Sequence, residues 1–210
     1  LDGVWGPRTV SALKLWQQAR RIEPSGRLDT ATLAALAEPV TLAAYVPPWY
    51  QYASDLVGVA EAPGPKSNPV IIGWARALGG WVRSVYTSDA TPWCGLFAAH
   101  CITHTLTGEP TPANPLSALA WAKFGVPLPA PTKGAVLVFK RPGGGHVGFY
   151  AAESADSYLV LGGNQGDRVS KATWVPKSRL VAVRWPSSAP LPTQIRTRLS
   201  RNSALSTNEA

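Results

Sequence analysis

The chain has 210 residues, 45% hydrophobic and 15% charged, which is the composition of a folded globular protein with room for one medium domain and a small one. Twenty Lys and Arg against 12 Asp and Glu leave a net charge of +8, suited to polyanionic surroundings such as nucleic acid, an anionic membrane surface or a bacterial wall. No basic helix is interleaved with aromatics and no zinc-finger spacing occurs, so nucleic acid is not an expected partner. No apolar run approaches the ~18–20 residues of a membrane span, and the start lacks the basic-then-apolar pattern of a signal peptide. Cys94 and Cys101 fall seven apart on one expected helix, roughly 10 Å, too far for a disulfide.

In chain order, residues 1–38 form a helical unit. Asp2-Gly3 and Gly6-Pro7 are turn signals, and Pro7 suits a first helical position. Val10, Leu13, Trp16 and Ala19 give an apolar stripe along Arg8–Arg21. Pro24-Ser25-Gly26 breaks it, and Asp29 or Thr30 can cap a second helix carrying Leu33 and Leu36. Residues 39–47 read as a linker. Pro48 can open a helix through Tyr52, Ala53, Leu56 and Val57, followed by a Gly- and Pro-rich loop over Gly58–Pro69. Glu61 in that loop reads as a solvated surface carboxylate. A helix over Val70–Leu78 ends at Gly79-Gly80, and Trp81–Ala90 leads into the segment Thr91–Phe97.

There Pro92 and Trp93 close an irregular stretch and a mostly apolar run with helical spacing begins, so Cys94 falls at or near a helix N-terminus. Unpaired backbone N–H groups and the helix dipole favour a thiolate at such a position; the competing reading is a plain buried cysteine. Tyr86 and Asp89, just upstream, can each line a substrate groove or serve structure. Trp93 can wall the groove or pack the helix start. His100 and His104 are four apart on the same helix, but no third ligand accompanies them, and they read as helix-surface or packing residues rather than a metal site. A turn over 107–112, a short helix over Ser117–Phe124 and a proline-rich loop over Val126–Thr132 follow.

From Lys133 the period changes. Five short apolar segments read as strands of a meandering antiparallel sheet: Ala135–Phe139, His146–Ala152, Tyr158–Leu161, Val169–Val175 and Leu180–Trp185. Helices followed by strands imply an α+β domain over 48–186 with the helices on one face of the sheet. The tail, 187–210, is polar and expected to be loose. His146 follows three glycines and opens a strand, from which its ring can project toward the helix of Cys94. Histidine has the pKa for a base that takes a proton from a thiol and returns it to a leaving amine. Asn164 or Gln165, just after the next strand, can come close enough to hold the other ring nitrogen.

Two resemblances rest on these motifs. Asp2-Gly3-Val4-Trp5-Gly6-Pro7-Arg8-Thr9 with Leu15-Trp16-Gln17, then Gly26-Arg27-Leu28-Asp29, resembles the helical peptidoglycan-binding domain of bacterial and phage wall enzymes, without its first helix. Pro92-Trp93-Cys94-Gly95-Leu96-Phe97, Gly145-His146-Val147-Gly148-Phe149-Tyr150 and Leu161-Gly162-Gly163-Asn164-Gln165, in that order, resemble the cell-wall cysteine hydrolases of the NlpC and CHAP superfamily. The second resemblance implies a papain-like fold with Cys94 as nucleophile, His146 as general base and Asn164 in the third position. It implies a metal-free reaction without cofactor on an amide bond of peptidoglycan, with Trp93, Tyr86, Asp89 and Gln165 as candidate substrate-binding residues. Many relatives carry Asp or Gln before the nucleophile, where this chain has Trp93, so the Cys94 backbone N–H is the candidate oxyanion donor. Peptidoglycan is the expected partner, a monomer the expected state and the bacterial wall the expected place of action. The rival readings are a catalytically silent wall-binding protein and a cysteine amidase or peptidase acting on other substrates.

Overall fold

The computed structural model describes residues 5–37 and 46–192. The Asp2-Gly3 turn, most of the expected linker and the tail beyond 192 lie outside the described residues.

The first helical unit contains α1 (Pro7–Ala19) and α2 (Thr30–Ala37). Pro7 sits in the first turn of α1, where its missing N–H costs nothing. Of the expected stripe through Val10, Leu13, Trp16 and Ala19 only Leu13 is buried, together with Leu15 and Gln17. A buried glutamine needs partners, and Gln17 has them. Its Nε2 donates to Thr32 Oγ1 at 2.8 Å and to the Arg27 carbonyl at 2.9 Å, and its Oε1 accepts the Gly26 N–H at 2.8 Å. One polar side chain thus sets the α1–α2 connection, which an apolar-period reading does not detect. Asp29 caps α2 by accepting the Thr32 N–H at 2.8 Å. Trp5, Leu28, Leu33 and Leu36 remain exposed, and Trp5 and Leu28 border a shallow recess with Gly26 and Arg27.

In the second part, α3 (Pro48–Asp55) and α4 (Pro69–Leu78) pack on α6 (Cys94–Thr105), which itself lies against the sheet. Every residue of α6 from Cys94 to Ile102 is buried, so this helix is the centre of the core. A short α5 (Gly80–Val85) fills part of the lead-in to Thr91, where the sequence predicts no element. Gly79 and Gly80 both take positive φ, 69° and 52°, at the expected break.

The sheet is antiparallel and has six strands in the order β1-β6-β2-β3-β4-β5. They are β1 (Val126–Pro127), β2 (Val136–Arg141), β3 (Gly144–Glu153), β4 (Ser157–Gly162), β5 (Ser170–Pro176) and β6 (Leu180–Trp185). The addition to the five expected is β1, two residues from the expected proline-rich loop, which pairs with β6. It is too short to leave a periodic signal. Pro142-Gly143 turns β2 into β3, with Gly143 at φ 78°, the positive value a type II turn needs at its second central residue. Trp49, Trp93, Trp121 and Trp185 are fully buried. Removal of any one of these rings costs about 3–5 kcal/mol.

The start of the expected loose tail is tied down. Glu109 accepts the backbone N–H groups of Ser187 and Ser188, both at 2.8 Å, and Trp185 donates its indole N–H to the Pro190 carbonyl at 2.9 Å. No helix among the described residues is long and apolar enough to cross a membrane.

Candidate active site

Cys94 is the first residue of α6, and Trp93 is its N-cap in a non-helical conformation. Gly95 follows because nothing larger fits: a Cβ there would lie 2.3 Å from the Pro115 carbonyl oxygen and 2.8 Å from that of Leu116. The 114–117 segment therefore lies directly over the first turn of α6. The backbone N–H groups of Val147, Gly95 and Cys94 itself favour the anion of the Cys94 thiol. Cys94 opens α6, which packs on β3, the strand that carries His146 and Val147.

Sequence reasoning expected the helix start to favour a thiolate. Burial instead pushes the Cys94 thiol up, and the three N–H groups and the Arg141 guanidinium pull it down without overcoming that. Cys94 is 4% exposed, so desolvation of the anion outweighs the donors. Burial thus favours the thiol over the thiolate at this position. Cys101, two turns on, is wholly buried and its thiol is pushed up further by burial alone.

His146 lies on β3 opposite Phe139, and the two rings stack with centroids 6.5 Å apart. Its Nε2 is 3.0 Å from Gln165 Oε1. The amide of Gln165 is oriented by its own donors, since Nε2 gives hydrogen bonds to the Ser170 carbonyl at 2.7 Å and the Val160 carbonyl at 3.3 Å. Its Oε1 must then face the ring and accept from it. The neutral imidazole consequently carries its proton on Nε2, leaving Nδ1 as the basic nitrogen. Gly162 gives this pair its space, because a Cβ there would stand 2.9 Å from Gln165 Oε1 and 3.3 Å from His146 Nε2.

Asn164 does not hold the imidazole, which corrects the expectation for the third position. Its Oδ1 accepts the Trp93 backbone N–H at 3.1 Å and its Nδ2 donates to Glu61 Oε1 at 3.1 Å. The reason is in the backbone. The β3–β4 register pairs Phe149 with Leu161, and its continuation would set position 164 opposite His146. The strand ends at Gly162, however, and Asn164 turns to φ 55°, so the chain leaves the ladder and the next side chain reaches back. Asn tolerates this left-handed conformation better than most residues.

The four candidate groove residues are all buried and committed to internal bonds. Trp93 is 0% exposed, with its indole N–H donated to Glu61 Oε1 at 2.8 Å. Tyr86 donates to the Thr91 carbonyl at 3.1 Å, and burial first, then the nearby Asp89 and Glu61 carboxylates, raise its pKa. Asp89 Oδ2 accepts the N–H groups of Asn68 at 2.7 Å and Ala62 at 3.0 Å. Burial pushes that carboxyl up, but these N–H groups, with the Ser67 hydroxyl and its own N–H, hold it below its ordinary value. Gln165 serves His146. All four are buried and hydrogen-bonded within the protein.

Glu61, read from sequence as a surface carboxylate, is the residue that reading missed. A carboxylate in a Gly- and Pro-rich loop carries no periodic signal, and its partners lie 32 and 103 residues away. His100 is buried and His104 lies on the helix surface. His100 Nε2 lies 3.0 Å from the Tyr52 hydroxyl, and Tyr52 stacks on His104 at 4.1 Å. Burial, with His104 nearby, lowers the His100 pKa to about 4. Among the described residues no group of three or more His, Cys, Asp or Glu could hold a metal ion.

Residues 1–36 match the family described as "Putative peptidoglycan binding domain". That match supports an association with the cell wall, with peptidoglycan as a partner. No curated protein and no solved structure matches the chain.

Proposed function

We propose that the protein is a peptidoglycan hydrolase of the papain-like NlpC/CHAP kind that cuts an amide bond in the stem peptide or at its junction with the sugar. Cys94 is the nucleophile, His146 the base and Gln165 the residue that orients it. The observation that carries this reading is that Cys94 opens the helix packed on β3, the strand whose His146 is held by Gln165 at 3.0 Å. The wall-binding match on the same chain supplies the polymer.

In this reading the Cys94 sulfur bonds to the amide carbonyl carbon as its proton passes to His146 Nδ1. The Cys94 N–H is the candidate donor to the carbonyl oxygen as charge builds there. The C–N bond breaks, and His146 gives the proton to the leaving amine. Water then adds to the thioester, its proton going to His146, and the acid departs as the thiol re-forms. The N-terminal helices keep the enzyme on its insoluble substrate and raise its local concentration. Mass spectrometry of the soluble products from purified sacculi tests the reading and names the bond. Free stem peptides beside intact glycan strands indicate an amidase; shortened or uncrosslinked peptides indicate an endopeptidase. Products that also form with Cys94→Ala, or that vanish with a chelator, contradict the mechanism.

A second reading, a catalytically silent wall-binding protein, is favoured by one observation: burial raises the Cys94 thiol. Wild-type protein that pulls down with sacculi yet releases nothing supports it.

A further inference from the structure

Three hydrogen bonds close a ring around the residue that precedes Cys94. The Trp93 backbone N–H goes to Asn164 Oδ1, Asn164 Nδ2 goes to Glu61 Oε1, and the Trp93 indole N–H goes to that same oxygen. Two donors converging on one carboxylate oxygen make charge-assisted bonds, roughly twice as strong as neutral ones.

Each corner of the ring is anchored separately. Glu61 is fixed from one side by its own N–H to the Asp167 carbonyl at 2.9 Å, with Ala60 bridged to Arg168. From the other side Asp89 grips the Ala62 and Asn68 N–H groups, and Asn68 Nδ2 donates to the Ala60 carbonyl at 2.6 Å. Asn164 is held in a left-handed turn between Gly163 and Gln165. Trp93 is wedged against Gly163, where a Cβ would come within 2.6 Å of its ring. The 60–68 loop, the start of α6 and the turn after β4 therefore meet at one carboxylate.

We infer that Glu61 is a positioning residue for the nucleophile, acting with Asn164 through Trp93 to set where the Cys94 sulfur stands relative to His146. This rests on the reading of Cys94 as nucleophile. Asn164 and Gln165 then divide the work: the first holds the peptide before the thiol, the second holds the base. A nucleophile displaced by about 1 Å loses on the order of 100-fold in rate, so a ring of this kind has a kinetic consequence without touching substrate.

The ring's polarity can be reversed, and that provides the test. Asn164→Asp keeps the left-handed turn and the acceptor for the Trp93 N–H but sets a second carboxylate against Glu61. Adding Glu61→Gln restores closure, since the introduced amide N–H donates to the introduced carboxylate while the amide oxygen accepts the indole. Adding Glu61→Ala gives the same net charge with the ring open. The readouts are the pH profile of Cys94 alkylation by iodoacetamide, followed by peptide mapping to separate Cys101, and kcat and KM on purified sacculi. Asn164→Asp is expected to move the alkylation profile and to lower kcat about tenfold or more with little change in KM. The Gln double variant recovers most of both, and the Ala double variant recovers neither. Double variants that match each other, or a Gln double variant no better than Asn164→Asp, overturn the inference. Failure of the hydrolase reading shows separately, as wild-type protein without turnover, and leaves the alkylation comparison intact.

Discussion

The two sides of the site are built differently. The histidine side is local to the sheet: His146 on β3, Gly162 at the end of β4 and Gln165 in the turn after it, with the Gln165 amide tied to Val160 and Ser170. The nucleophile side is assembled from segments far apart in sequence, with Glu61, Trp93 and Asn164 meeting at one oxygen. Short antiparallel connections deliver the first arrangement almost automatically. The second exists only once the 60–68 loop has folded over the start of α6. A perturbation of the Cys94 side should therefore disturb three segments at once, whereas one on the histidine side stays within β3, β4 and the turn after it.

The largest expected effect is at the reacting pair. Cys94→Ala and His146→Ala should each lower turnover of sacculi by about 10³-fold or more while leaving sacculus pull-down unchanged. Gln165→Ala comes next, because it frees the ring tautomer and removes three hydrogen bonds. A loss of about 10–100-fold in kcat, with KM nearly constant, is expected from steady-state kinetics. Gly162→Ala tests the same side more gently. Its Cβ presses on Gln165 Oε1 and His146 Nε2, and kcat should fall severalfold.

A smaller, pH-dependent effect belongs to the scaffold behind the nucleophile. The His100 pKa is lowered to about 4 from 6.5. A depressed value stabilises the neutral folded form above pH 6.5, and that stability is lost as pH falls toward 4, to a limit of about 3 kcal/mol. Thermal melts of wild type and His100→Gln across that window should converge at acid pH if the histidine is the cause.

The helices after Pro48 and Pro69 were legible in the sequence because Pro and Asn mark helix starts and apolar residues recur at helical spacing. The placement of Cys94 at a helix start and of His146 on a strand was legible for similar reasons. What was not legible depended on distance. The Gln17 hub is polar, so an apolar-stripe reading passes over it. β1 is two residues long and has no period. The exchange of duties between Asn164 and Gln165 turns on a single left-handed residue that breaks the strand register. Glu61 gave no signal because its partners are 32 and 103 residues away. The Cys94 thiol is raised, opposite to the helix-dipole expectation, because desolvation depends on tertiary packing that a local pattern does not record.

The central claim is that Cys94 and His146 together hydrolyse an amide of the wall. Release of new amino groups from purified sacculi tests it most directly, comparing wild type with Cys94→Ala and His146→Ala at equal bound protein. The account predicts steady amine release by wild type and none above background by either variant. Equal release by all three, or none by wild type on sacculi to which it binds, would contradict it.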